Sequence, residues 1–159
     1  MSTTHLEIIP TSGALGAELH GINLAQPLTR DTAQEIRGAL AEHGVIFFRD
    51  QNITPEQHIA FAESLAPINI NRFFKTTDGY AQIAEVRKEP DQDKNIGGQW
   101  HTDHSYDQVP ALGSILLARD VPPRGGDTLF AAMWRAYDAL SEGLKKTLEG
   151  LRAGLPAFS

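Results

Sequence analysis

The sequence contains no cysteine among its 159 residues. This absence excludes disulfides, thiolate zinc sites, iron–sulfur clusters and cysteine nucleophiles, so any metal ion must be held by histidine, aspartate or glutamate. Basic residues are also scarce: 14 Lys and Arg stand against 20 Asp and Glu, and the net charge is −6. A chain without a basic excess is poorly suited to the nucleic-acid backbone, and we expect no nucleic-acid partner.

Long hydrophobic runs are absent as well. No apolar stretch approaches the roughly 18 residues of a membrane-spanning helix, and residues 1–10 lack the basic start and apolar core of a signal peptide. We therefore expect a cytoplasmic protein with no membrane partner. The composition, 41% hydrophobic and 21% charged, is typical of a globular protein. The length suits one domain over residues 1–159.

Short apolar runs alternate with amphipathic stretches along the chain. Two helices are predicted over residues 29–43 and 54–65, each starting at a threonine N-cap, and Gln57 completes a capping box in the second. A longer helix is predicted over residues 133–152. Strands are predicted over residues 6–9, 15–19, 45–48, 83–86, 99–106, 114–119 and 127–131. Strands covered by helices indicate an α+β fold.

The histidines lie at or before position 104, and the informative cluster is residues 99–104, Gln-Trp-His-Thr-Asp-His. On a strand, His101 and Asp103 project from the same face, which places an imidazole beside a carboxylate. These are two of the three ligands in the 2-His-1-carboxylate arrangement of non-heme Fe(II) oxygenases. Because a His-x-Asp tripeptide is common, a polar surface strand or turn explains the same residues.

Glycine-rich segments flank this tripeptide. Gly97 and Gly98 precede it and permit a sharp bend or a close backbone approach. Residues 122–128, Pro-Pro-Arg-Gly-Gly-Asp-Thr, follow it, and a tight turn there delivers the hydroxyl of Thr128 at the start of a strand. A hydroxyl in that place can hydrogen-bond a carboxylate, although a plain hairpin turn accounts for the segment equally.

Four segments together resemble the TauD/TfdA family of Fe(II)- and 2-oxoglutarate-dependent dioxygenases. They are residues 44–51 (GVIFFRDQ), 100–103 (WHTD), 125–130 (GGDTLF) and 136–141 (AYDALS). Each segment alone is modest, but the four occur in the order and spacing of the family. The resemblance runs from about residue 6 to about residue 153.

The resemblance implies a double-stranded β-helix (a jelly roll, clavaminate synthase-like) with flanking helices, of which this chain supplies the N-terminal half. It implies that His101 and Asp103 bind Fe(II) and that Thr128 hydrogen-bonds a carboxylate of 2-oxoglutarate. The implied reaction consumes O₂ and 2-oxoglutarate and releases succinate and CO₂. It hydroxylates an unactivated C–H bond of a small organic substrate.

Two parts of the family pattern have no counterpart here. The family needs a second histidine ligand and an arginine for the distal carboxylate of 2-oxoglutarate, both beyond the Gly-Gly-Asp-Thr turn. This sequence has no histidine after His104, and Arg135 and Arg152 lie at helical positions that do not match. On a strand, His104 points away from Asp103. We therefore expect a C-terminally truncated chain, natural, frameshifted or miscalled, that binds iron weakly.

Three positions that contact substrate in the family carry Asn71, Phe74 and Gly97 here. They offer fewer polar groups than a sulfonate or an amine requires. A site that lacks such partners discriminates strongly against that substrate. We therefore expect a substrate that is larger or less polar than taurine.

Two other functions stay open at this point. In the first, the chain is a non-catalytic remnant or interaction module that lacks the third iron ligand. In the second, His101 and Asp103 hold zinc for hydrolysis. The missing general-base or nucleophile motif disfavours hydrolysis. A half jelly roll leaves strand edges and an apolar face uncovered, so homo-oligomers are also expected.

Overall fold

The computed structural model describes residues 6–11, 13–72, 74–93, 96–103, 105, 107–152 and 154. The chain forms two compact units. The first unit is drawn from the described residues within 1–21, 38–49 and 120–159, and the second unit from those within 22–37 and 50–119. Both units contain helix and strand, as the α+β prediction requires.

A three-stranded sheet forms the centre of the first unit. Strand β1 (Glu7–Pro10) pairs antiparallel with β2 (Ala17–His20), and β2 pairs in parallel with β3 (Ile46–Phe47). The strands predicted over residues 6–9, 15–19 and 45–48 are therefore confirmed, with ends shifted by one or two residues. Alternate residues of the middle strand point inward, which leaves Ala17 and Leu19 buried.

Helix α1 (Arg30–His43) agrees closely with its prediction. The Oγ1 atom of Thr29 accepts a hydrogen bond of 3.1 Å from the Thr32 backbone N–H, which confirms the predicted N-cap. The helix buries Ile36 completely. It ends at Gly44, which has a φ of +70° and whose N–H bonds the Leu40 carbonyl.

Helix α2 (Pro55–Leu65) belongs to the second unit and begins with the predicted capping box. The Thr54 side chain accepts from the Gln57 N–H, and the Gln57 side chain accepts from the Thr54 N–H. The same glutamine donates to the Ala25 carbonyl at 3.2 Å, so one side chain joins the helix start to a distant loop. Phe61 lies buried on the inner face.

A two-stranded sheet completes the second unit. Strands β4 (Thr76–Thr77) and β5 (Tyr80–Ala84) pair antiparallel, and β5 lies against α2. The Tyr80 hydroxyl donates to the Glu56 carboxylate at the start of α2. This hydrogen bond lowers the pKa of Glu56 and raises the pKa of Tyr80. The predicted strand over residues 83–86 therefore exists, but it begins three residues earlier.

Other predicted elements are wrong. In the described part of residues 99–106, 114–119 and 127–131 the backbone forms no strand. Their apolar patterns suit a strand, but a strand also needs a neighbour to satisfy its backbone hydrogen bonds, and the described residues provide none there.

The predicted helix over residues 133–152 is two short helices, α3 (Met133–Asp138) and α4 (Glu142–Leu148). The break lies at Ser141, whose side chain accepts from the Leu144 N–H at 3.3 Å and caps α4 instead of continuing α3. Both helices carry exposed apolar side chains: Met133 is 64% exposed and Leu144 52%. No helix among the described residues has the length and apolar character needed to cross a membrane.

Candidate active site

His101 and Asp103 lie side by side in the second unit. The Nε2 atom of His101 is 3.4 Å from Oδ1 of Asp103. The sequence predicts that the two side chains are neighbours because they are two residues apart on a strand. In the structure they are neighbours, but the segment that carries them is irregular. Both side chains are accessible, at 42% and 59% exposure, so a ligand can reach the atoms that face each other.

The hydrogen bonding of His101 fixes its tautomer. Its Nδ1 atom lies 2.7 Å from the carbonyl oxygen of Gln99. A carbonyl oxygen only accepts, so Nδ1 carries the proton and donates. In the neutral ring Nε2 then holds a lone pair, and that lone pair faces a carboxylate oxygen of Asp103. Two acceptors that face each other repel unless a proton or a metal ion lies between them.

The second carboxylate oxygen of Asp103 has a different partner. The Ser114 hydroxyl donates to Oδ2 at 2.9 Å. The next residue, Ile115, anchors this part of the chain, because its backbone hydrogen-bonds the half-buried His58 imidazole of α2. The anchor keeps Ser114 close to Asp103. Burial and the positive charge of Arg119 lower the pKa of His58, while that hydrogen bond acts in the opposite direction.

The pair fits two adjacent positions of a metal site. Two ligand atoms, each about 2.1 Å from a metal and about 90° apart, are about 3 Å from each other, close to the observed separation. Within the described residues, however, no cluster of three His, Cys, Asp or Glu side chains could hold a metal ion. His104, which the sequence disfavours as a third ligand, lies outside the described residues. The geometry therefore provides two ligands of a set of three.

Gly97 lies beside the His101 ring. Its φ is +66°, and a Cβ at this position would lie 3.3 Å from Cε1 and 3.9 Å from Nε2 of His101. The expected close backbone approach before the His-x-Asp tripeptide is thus present, and it is made to the imidazole itself.

The loop that carries Asn71 and Phe74 is tied to the segment beyond Asp103. Within the loop, the Asn71 Oδ1 accepts from the Phe74 N–H at 3.1 Å, and the Phe74 side chain is 38% exposed. The Arg72 guanidinium binds Asp107 at 3.1 Å. The structure therefore connects the predicted substrate loop to the chain that follows the His–Asp pair.

Thr128 lies in the first unit, in an irregular and exposed segment. It follows the predicted turn, in which Gly125 and Gly126 both have a φ of +77°. The role that the resemblance implies for Thr128 stays a prediction. Arg135, which did not match the family arginine, donates from Nη2 to the Gly13 carbonyl at 2.6 Å within the same unit.

Sequence reasoning missed two residues of this site. Gln99 acts through its backbone carbonyl, and because every residue has one, the residue type gives no sign of this role. Ser114 lies 11 residues beyond Asp103, outside every segment that carries the resemblance. Only the path of the chain brings its hydroxyl to the carboxylate.

Comparison with known proteins supports the resemblance. Residues 7–156 match the family described as taurine catabolism dioxygenase TauD, TfdA family. The chain is 35% identical to an alpha-ketoglutarate-dependent 2,4-dichlorophenoxyacetate dioxygenase of Cupriavidus pinatubonensis, with 91% of this chain and 56% of the relative covered.

Two crystal structures are also similar. One is a taurine dioxygenase from Burkholderia xenovorans, with a TM-score of 0.71, 30% identity, and 91% of this chain and 51% of that chain covered. The other is AAD-2 in complex with Mn(II) and N-oxalylglycine, with a TM-score of 0.65, 30% identity, and 91% and 50% covered. The chain spans about half the length of the relatives it matches.

Proposed function

The chain belongs to the TauD, TfdA family of dioxygenases, and from this premise we propose that it is the metal-binding part of an Fe(II)- and 2-oxoglutarate-dependent dioxygenase. The proposed domain is a double-stranded β-helix with flanking helices, of which residues 1–159 are a part. The observation that carries the proposal is the approach of His101 Nε2 to the Asp103 carboxylate at 3.4 Å, with the opposite nitrogen, Nδ1, held by the Gln99 carbonyl. The pair offers two ligand atoms to one metal ion.

The residues of the chain have distinct roles in this proposal. His101 Nε2 and Asp103 Oδ1 hold Fe(II), and the Gln99 carbonyl keeps the imidazole in the tautomer that binds it. Thr128 hydrogen-bonds a carboxylate of 2-oxoglutarate. Bound Fe(II) and 2-oxoglutarate together activate O₂ for hydroxylation of a C–H bond, with succinate and CO₂ as co-products. That the relative AAD-2 binds Mn(II) and N-oxalylglycine supports a divalent-metal site.

We propose a small organic substrate that is less polar than taurine. The Asn71 Oδ1 is engaged by its own loop, Phe74 offers an accessible aromatic face, and Gly97 has no side chain. These three positions supply little to bind a sulfonate or an amine.

The second candidate function is a non-catalytic remnant or interaction module. The observation that favours it is that the described residues contain no three-ligand group. The two candidates differ in what they expect of the His101–Asp103 pair. A dioxygenase part binds Fe(II) when a third ligand is supplied, whereas a remnant does not.

Anaerobic titration of the chain with Fe(II) and 2-oxoglutarate separates the two candidates, with millimolar imidazole added to stand in for a third histidine ligand. We expect a visible charge-transfer band that needs both Fe(II) and 2-oxoglutarate and that strengthens with imidazole. Without imidazole the band is weak, and we expect little or no succinate on admission of O₂.

Matched variants show which residues bind the metal that produces the band. His101→Ala and Asp103→Asn abolish it, whereas His20→Ala retains it, because His20 lies on β2 in the first unit beside Glu18. If no band forms with any combination of metal, co-substrate and imidazole, the dioxygenase proposal is wrong and the remnant is favoured. Ordinary succinate production by the chain alone would contradict the expectation of a weak site.

A further inference from the structure

We propose that Ser114 is a positioning residue that presents Asp103 to the metal, an inference that rests on the proposed function. Its hydroxyl donates to Oδ2 of Asp103 at 2.9 Å, and the other oxygen, Oδ1, faces His101 Nε2 at 3.4 Å. The hydroxyl therefore decides which carboxylate oxygen is the ligand and how the carboxylate plane is turned.

Asp103 needs such a partner because little else restrains it. Its side chain is 59% exposed, and the terminal torsion of an aspartate is broad and nearly two-fold. A free carboxylate at this position rotates between orientations in which either oxygen, or neither, faces the imidazole. The hydrogen bond from Ser114 selects one of these orientations before any metal arrives.

The two ligands are then oriented in the same way. The Gln99 carbonyl holds the far nitrogen of His101, and the Ser114 hydroxyl holds the far oxygen of Asp103. In each case one outer contact turns the inner atom of the ligand toward its partner. Outer contacts of this kind set metal affinity through ligand geometry.

Ser114 is itself well placed for this role. The next residue, Ile115, is hydrogen-bonded through its backbone to His58 on α2, so the chain carrying the hydroxyl is anchored to a helix. Ser114 and Asp103 are both exposed, and a hydrogen bond between exposed side chains adds little to folding stability. A positioning role and a structural role therefore predict different results for the same substitution.

The test measures Mn(II) affinity of the 159-residue chain by the electron paramagnetic resonance signal of free Mn(II), with imidazole present throughout. We expect Ser114→Ala to weaken binding about tenfold, because outer-contact substitutions cost roughly 10- to 100-fold in metal affinity. Ser114→Thr keeps the hydroxyl and restores most of the affinity. The thermal unfolding midpoints of the two variants stay at the wild-type value.

Three results would overturn the inference. If Ser114→Ala binds Mn(II) like wild type while His101→Ala does not, the metal site stands and the role of Ser114 is wrong. If the alanine and threonine variants lose affinity alike with unchanged unfolding, the hydroxyl is not the cause. If the wild-type chain itself does not bind Mn(II) even with imidazole, the proposed function and the role of Ser114 fail together.

Discussion

The indole of Trp134 packs directly over the backbone of Gly44. A Cβ on residue 44 would lie 2.5 Å from the Trp134 Cη2 and 2.8 Å from the Leu15 Cδ1, both closer than side chains approach. The φ of Gly44 is +70° as well, so the backbone conformation and the packing each require glycine. The glycine that ends α1 is therefore also the residue against which Trp134 of α3 packs in the first unit.

Gly44→Ala is expected to destabilise the first unit by about 2 kcal/mol or more, the combined cost of a left-handed L-residue and an overpacked contact. Urea denaturation followed by tryptophan emission measures the change. Gly38→Ala is the matched control: a Cβ there meets nothing within 4 Å, and alanine favours the helix interior by about 0.5–1 kcal/mol. Equal stabilities of the two variants would contradict the packing argument.

Gly97→Ala is expected to lower Mn(II) affinity several-fold in the presence of imidazole, because the new methyl group lies 3.3 Å from the His101 Cε1 and displaces the ring. Backbone strain accompanies this contact, since the φ of Gly97 is +66°. Gly79→Ala separates the two effects: its φ is +84° but its Cβ has nothing within 4 Å. The control should lose stability and keep the metal affinity of wild type.

Thr54→Ala is expected to lower the free energy of unfolding by about 1 kcal/mol, because it removes the N-cap hydrogen bond of α2. Thr54→Ser, which keeps the hydroxyl, should lose much less. Thermal unfolding monitored by circular dichroism compares the two variants. If the serine variant unfolds at the same temperature as the alanine variant, the hydroxyl of the capping box contributes no stability here.

Acidification is expected to destabilise the second unit through His58. Burial and the charge of Arg119 lower its pKa in the folded chain below the ordinary value of 6.5. The unfolded chain then takes up the proton first, so the stability that the neutral imidazole provides is present above pH 6.5 and is lost as the pH falls toward the folded pKa. Urea midpoints measured between about pH 7.5 and 5 test this.

His58→Gln should remove part of that pH dependence, and Arg119→Gln should reduce it, because the repelling charge is gone. The quantity to compare is the change in urea midpoint with pH, variant against wild type. An unchanged slope in His58→Gln would show that other groups carry the acid sensitivity.

The exposed apolar side chains of α3 and α4 are expected to make the chain associate. Tyr137 is 51% exposed, Leu144 52% and Leu148 46%. Exposed large apolar side chains favour association, because burying them against another molecule removes them from water. Sedimentation velocity should show species larger than a monomer that increase with concentration, and Leu148→Glu should shift the distribution toward monomer. A chain that is monomeric at all concentrations would contradict this expectation.

Signals that act within one turn of chain were predictable from the sequence. The capping box of Thr54 and Gln57 and the end of the first helix at residue 43 depend on neighbours a few residues away, and the structure confirms both. The His101–Asp103 neighbourhood was also predicted, although by way of a strand that does not form.

Signals that depend on distant partners were not predictable. The segment over residues 114–119 has a strand-like sequence, but the pairing that makes a strand depends on what lies beside it. The helix predicted over residues 133–152 is interrupted at Ser141, because its side chain accepts a hydrogen bond from the Leu144 N–H and starts a second helix. The contact between Ser114 and Asp103 spans 11 residues of irregular chain, which no periodicity encodes.

The interleaved composition of the first unit sets the order in which the protein can fold during synthesis. Its sheet strands come from residues 7–47, whereas α3 and α4 come from residues 133–148. The hydrogen bond between Arg135 and Gly13 joins residues 122 positions apart, so it forms only after most of the chain has left the ribosome. Closing such long loops slows folding, so the packing of α3 in the first unit is expected to form after the local pairing of β1 with β2.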